Sequence, residues 1–167
     1  MTAPRGLKGV VVTETGIGDV RGGEGFYHYR QYSAVDLART RPLEDVWRLL
    51  IDGTLPDTPA ERAAFADEVR PLRAVPPATA AALPVIARVS QPLNGLRTAL
   101  SLAAEERGCR PVYDLDRAAR RADALFAAAV TPAILISLYR LRRGLEALPP
   151  RDDLDYAANY LWMLTGQ

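Results

Sequence analysis

The sequence predicts a mostly α protein: a multi-helix domain behind a small N-terminal β-hairpin. Three observations carry this. Stretches rich in Val, Tyr and Phe occur near the start, on either side of a glycine-rich loop. From Ser33 onward, apolar residues recur at helical spacing, punctuated by N-capping residues, helix-starting prolines and terminal glycines. Hydrophobic residues make up 49% of the chain, with alanine prominent among them, as closely packed helices require.

Residues 9–14 and 26–30 read as the two strands, and Gly16–Gly25 as the loop between them, its glycines free to adopt positive φ. A phosphate-cradling loop would lead from a strand into a helix, whereas this one leads to a strand. Ser33 is a good N-cap for a helix over 34–39, with Asp36 at its third position. Pro42 suits the first position of the next helix, whose apolar face is Leu43, Val46, Trp47, Leu50 and Ile51 and whose end is Gly53. Thr58-Pro-Ala-Glu61 is a capping box, opening a helix that stops near Pro71. Pro76, Pro77 and Pro84 predict short helices and turns up to Pro92.

Pro92 opens a helix with Leu93, Leu96, Leu100 and Ala103 on one side and Gly108 as its stop. Asp114 or Asp116 starts the next, over Arg117 to Ala129, and Thr131-Pro132 restarts it. There Ile134, Leu135, Leu138 and Leu141 face inward, while Arg140, Arg142 and Arg143 crowd the C-terminal end. Pro149-Pro150 breaks the chain before a last helix over 153–164. The expected division is residues 1–32, the N-terminal segment and hairpin, and 33–167, the helical domain.

With 21 basic and 20 acidic residues, the net charge is +1, too small for a field that draws nucleic acid or an anionic membrane. The single cysteine cannot pair within the chain, which fits a reducing, cytoplasmic setting. The first residues lack the apolar core of a secretory signal. The apolar stretch from Ala124 to Leu138, interrupted at Thr131-Pro132, reads as too short for a bilayer.

Candidate chemistry is sparse. His28, between two tyrosines, would act as a base only with an orienting carboxylate such as Glu14, Asp19 or Glu24; otherwise it is a strand histidine on the solvent face. Cys109 lies between Arg107 and Arg110 but at the wrong end of a helix for a reactive thiolate, and reads as incidental. One histidine and one cysteine build no zinc site. Arg117, Arg120 and Arg121 read as a solvated face with local ion pairs near Asp123. Arg140, Arg142 and Arg143 either clamp an anion or complement a helix dipole.

Five segments in order resemble the N-terminal part of the large domain of the citrate synthase family. These are Gly6 to Thr15 as the entry strand, Phe26-Tyr-His-Tyr-Arg-Gln-Tyr32 with Asp36-Leu-Ala38, and Leu43 to Pro56. Gln91-Pro-Leu-Asn-Gly-Leu-Arg-Thr-Ala-Leu100 and Leu154 to Gly166 complete the set. Gln31 stands where the family usually has glycine, and Gln91 where it usually has histidine.

The resemblance implies an almost wholly helical, dimeric fold that condenses acetyl-CoA or another acyl-CoA with a 2-oxo acid such as oxaloacetate. No covalently bound cofactor is implied. Two histidines and an aspartate do that family's chemistry, and the resemblance places all three beyond residue 167, so no catalytic residue is assigned here. Arg140, Arg142 and Arg143 become candidates for a CoA phosphate. The implied partner is a C-terminal half of the synthase, which would make this chain the N-terminal portion or subunit. The alternative is a non-enzymatic interaction module that self-associates or docks on an intact synthase. Because the family's early helices pack on later ones, the resemblance also implies that apolar residues such as Leu154, Tyr160, Leu161 and Met163 lack partners when this chain is alone.

Overall fold

The computed structural model describes residues 6, 9–11 and 13–167. Its elements run β1 (Gly18–Arg21), β2 (Phe26–Tyr29), β3 (Tyr32–Ser33), then α1 (Ala34–Thr40), α2 (Leu43–Asp52), α3 (Pro59–Val69), α4 (Pro77–Val89), α5 (Pro92–Arg107), α6 (Arg117–Arg142) and α7 (Tyr156–Thr165).

The hairpin is displaced from its expected place. Residues 9–11, 13 and 14 form no strand, and Val12 lies outside the described residues. The first strand comes instead from within the glycine-rich segment: β1 pairs antiparallel with β2, Gly18 opposite Tyr29 and Arg21 opposite Phe26. Glycine is what makes this possible. A Cβ on Gly18 would lie 2.9 Å from the His28 carbonyl oxygen, and Gly25, at φ 64°, closes the return by donating its N–H to Gly22. A strand at 9–14 would have needed a longer loop and another register to meet β2. The short β3 completes a sheet of order β1-β2-β3, after a turn in which Arg30 adopts φ 49°.

Every predicted helix exists, and the capping chemistry fixes most of their starts. The Ser33 hydroxyl accepts the Asp36 N–H (3.3 Å), and the Thr58 hydroxyl accepts the Glu61 N–H (3.2 Å). Asp116 and Asp155 each accept an N–H three residues on, from Ala119 and Ala158, both at 2.8 Å. Gly53 and Gly108 end α2 and α5 in the left-handed conformation. Within α2, Leu49 is fully buried while Leu43, expected to face the core, is exposed.

The two expected interruptions do not occur. α4 continues through Pro84 and α6 through Pro132. An internal proline removes one helical hydrogen bond and costs about 3 kcal/mol in isolation. Here burial on both sides of each proline offsets that. Leu83, Ile86 and Ala87 of α4 pack with Phe126, Val130, Ile134 and Leu138 of α6 in the main core. α5 reaches the same core with a stripe of small residues, Gly95, Ala99 and Ala103. A Cβ on Gly95 would sit 3.3 Å from the Ile86 side chain, so the helices approach closely there. Leu93, expected on this inner side, is exposed.

The uninterrupted α6 is, by length and composition, long and apolar enough to cross a membrane, contrary to the expectation from its proline. In the fold, 61% of its apolar window is buried against the rest of the chain, as in a core helix. Arg121 on its first turns does not pair locally with Asp123. It donates to Asp52 of α2 (2.5 and 2.9 Å) and to Glu68 of α3 (2.5 and 3.0 Å), tying three helices together.

α2 is a hub for both ends of the chain. At its C-terminus, Arg30 donates to the Leu49 and Leu50 carbonyls (2.6 and 2.9 Å), fastening the hairpin. At its N-terminus, Glu44 accepts from Arg73 (3.3 Å) and from the Tyr156 N–H (2.9 Å), fastening α7. Met163 is accordingly buried against Ala133 and Ile136, although partners were not expected for it. Leu161 remains exposed, and Leu154 and Tyr160 are half-buried.

Candidate functional site

The residues singled out for chemistry do not converge. His28 stacks on Phe26, centroids 4.0 Å apart, and the Arg21 guanidinium lies over that phenyl ring at 3.8 Å. Asp19 is its cross-strand partner, so one of the three candidate carboxylates is at least opposite it. The hairpin that carries both is largely exposed, with His28 itself half-buried. Cys109 packs against the main core; burial first, and then Asp123, pushes its thiol above the usual value. That is the opposite of an activated thiolate. Among the described residues, no cluster of His, Cys, Asp and Glu has the spacing to hold a metal.

The three arginines at the end of α6 are held in separate directions. Arg140 donates to the Glu146 carbonyl (2.6 Å) and the Leu164 carbonyl (2.9 Å). Arg142 donates to the Ser90 carbonyl (2.5 Å) at the end of α4. Arg143 is exposed and lies over the Tyr139 ring at 4.6 Å. Two of the three thus satisfy carbonyls at the C-terminal ends of α7 and α4, where a cation also complements the helix dipole.

Arg142 borders a groove of about 380 Å³ between the end of α4, the start of α5, α6 and α7. Its walls are Ile86, Pro92, Leu135, Leu138, Tyr160 and Leu164, with Ser90, Gln91 and Arg142 as the polar edge. Tyr139, which also lines it, is exposed, and so are Val89, Leu93 and Leu161, chain neighbours of the lining residues Ser90, Pro92 and Tyr160. An apolar groove edged by exposed apolar side chains has the character of a protein-contact surface rather than of a reaction centre. Of the four apolar residues near the last helix expected to lack partners, Leu161 alone is exposed, and the exposed apolar residues of α4 and α5 were not foreseen. Val85 and Val89 lie four residues apart on α4 and are both exposed, and Leu93, near the start of α5, is exposed as well.

Comparisons with known proteins agree over the whole chain. A family model described as "Citrate synthase, C-terminal domain" matches residues 6–167. A 2-methylcitrate synthase of Mycobacterium tuberculosis is 38% identical over 177 residues, covering 100% of this chain and 44% of that protein. A citrate synthase of Haloferax volcanii is 33% identical over 165 residues, covering 98% of this chain and 43% of that protein. The crystal structure of citrate synthase from Pyrobaculum aerophilum matches with a TM-score of 0.77 at 32% identity, covering 95% of this chain and 41% of that one. The chain therefore spans less than half the length of the relatives it matches.

Proposed function

Because the chain belongs to the citrate synthase family, we propose that it supplies the early large-domain helices of an enzyme condensing an acyl-CoA with a 2-oxo acid. In the acetyl-CoA case, the thioester's methyl carbon bonds to the keto carbon of oxaloacetate, and water then cleaves the thioester to give citrate and CoA. The observation that carries this reading is a family match running from residue 6 to residue 167 that still covers under half of each relative. The single histidine, stacked on an exposed hairpin, fits it. So does the separation, among the described residues, of His28, Cys109 and the arginines at the end of α6, since such catalysis needs several titratable groups in one cleft. On this reading the reacting groups come from the remaining part of the family fold, which also covers the apolar groove between α4 and α7.

The test is reconstitution. Co-purification of this chain with a C-terminal citrate synthase half, followed by an assay of CoA thiol release from acetyl-CoA and oxaloacetate, should show activity that neither part has alone. A stable complex with no CoA release would sink the reading. Charge reversal at Arg142 and Arg143 in the active complex should weaken CoA affinity if either touches a CoA phosphate; unchanged affinity would remove both from the site.

The exposure of Val89, Leu93 and Leu161 favours a second reading, self-association of the chain as a non-enzymatic module. Sedimentation of the chain alone separates the two. A concentration-dependent oligomer that a C-terminal half does not dissociate supports the second, and a monomer that the half captures supports the first.

A further inference from the structure

Arg73 is the least expected charged residue in this fold. It is 6% exposed and sits where α2, the turn Arg70–Arg73, α6 and α7 meet. One terminal nitrogen donates to the Leu154 carbonyl (2.9 Å) and the other to Glu44 (3.3 Å). Its Nε–H has no partner, and among the described residues it is the one buried side-chain polar atom so left. Buried donors of a charged group are seldom left unpaired, because the group has given up its hydration.

Beside Arg73 lies a small space of about 10 Å³. Apart from Arg73 its lining is uncharged, and Tyr156 and Asn159 are its other polar residues. We propose that this space is a binding site for a single water molecule that accepts the Arg73 Nε–H.

Three considerations select this ligand. The volume is on the order of the 10–15 Å³ that one water requires, too little for an anion of several heavy atoms. The charge of Arg73 is already matched by Glu44, and no other charged side chain borders the space, so a neutral acceptor is favoured over an ion. A buried water also needs somewhere to donate. Asn159 Oδ1 takes one hydrogen bond, from the Arg151 N–H (2.7 Å), and keeps a second lone pair. Asn159 in turn donates to the Arg151 and Leu154 carbonyls (2.6 and 3.0 Å). The water would thus complete a polar junction of Glu44, Arg73 and Asn159 that holds the start of α7 on α2, independently of what the assembled protein catalyses.

The experiment is a crystal structure of the full chain at near-atomic resolution. The expected result is a water oxygen about 2.7–3.2 Å from Arg73 Nε, bordered by Ala129, Pro132 and Asn159. Empty density there, or an Nε turned onto a protein acceptor, would overturn the proposal. In solution, the Nε–H resonance of Arg73, assigned by its disappearance in Arg73→Lys, should show a rotating-frame cross-peak to a slowly exchanging water. A sharp, protected resonance with no such cross-peak would overturn it equally.

Discussion

Both ends of this chain are fastened to the same helix by an arginine, and the two fastenings differ in kind. Arg30 lies half-exposed at the C-terminal end of α2 and donates only to backbone carbonyls, at 2.6 and 2.9 Å. Those carbonyls belong to the last turn, where helical partners run out after the Gly53 N–H bonds the Leu49 carbonyl at 3.0 Å, so the arginine works as a cap and complements the dipole. Arg73 is buried at the N-terminal end of α2, and its partner is a carboxylate that is itself buried. Glu44 also takes the first N–H of α7, so this pair anchors backbone as well as charge. The hairpin is therefore hung on the domain, whereas α7 is built into it.

The difference predicts unequal losses. Arg73→Met should be the most damaging single change, because it leaves Glu44 buried without its cation; removing one partner of a buried pair costs about 3–5 kcal/mol. Urea unfolding measures it. Adding Glu44→Gln to Arg73→Met should restore part of the loss, since the uncompensated charge goes. A loss for Arg73→Met below about 1 kcal/mol would place this pair with exposed ones and erase the contrast.

Arg30→Ala should cost less, roughly 1.5–3 kcal/mol for charge-assisted hydrogen bonds, and less where water replaces them. Arg30 also holds φ 49°, a conformation that disfavours a side chain. Arg30→Gly removes the same hydrogen bonds without that strain, so it should be milder than Arg30→Ala by about 1 kcal/mol. Equal losses would mean that the turn geometry contributes nothing. The loss should also be local, seen as faster amide exchange in β1 and β2 before any in α6.

The hairpin offers a finer test. Gly18→Ala places a methyl 2.9 Å from the His28 carbonyl oxygen, and backbone must move to admit it. The expected result is faster exchange of the Arg30 amide, which bonds the Ile17 carbonyl at 2.8 Å, with a change of under about 1 kcal/mol in the unfolding of the helical domain. A loss matching that of Arg73→Met would show the hairpin to be integral after all.

The same contrast explains what could be read from the sequence. Helix starts were legible because a capping side chain acts within three residues of itself: Ser33, Thr58 and Asp116 all do what their spacing predicted. The strand at 9–14 was misplaced because strand identity depends on a partner elsewhere, and valine-rich sequence does not say which register a glycine-rich neighbour will offer. Pro84 and Pro132 misled for a related reason. Their local cost is fixed, but the burial that offsets it comes from helices distant in sequence. The scarcity of titratable side chains was legible from composition, with one histidine and one cysteine in the chain. The groove was not, because it is made by helix ends that meet only in three dimensions. Nor was the Arg73 junction, whose partners Glu44 and Leu154 lie 29 and 81 residues away.

An exposed fastening of opposite sign should give the smallest effect and the clearest pH signature. α4 begins at Pro77 after Pro76, and neither proline supplies a capping side chain. Glu106, from the last turn of α5, does so instead, accepting the Ala78 N–H (2.9 Å), the Thr79 N–H (2.9 Å) and the Thr79 hydroxyl (3.0 Å). The Ala78 N–H first, and then Thr79, hold its carboxyl below the ordinary value. A carboxyl depressed in the folded state stabilises the fold above its unfolded value of about 4.3, and that contribution is lost as pH falls through the lower folded value. Thermal unfolding of the unchanged chain should therefore weaken more steeply below about pH 4.3 than that of Glu106→Gln, which starts lower at neutral pH because a neutral amide caps less strongly. Parallel curves for the two proteins across that range would show that the carboxylate's charge, unlike that of Arg73, adds nothing to the joint it closes.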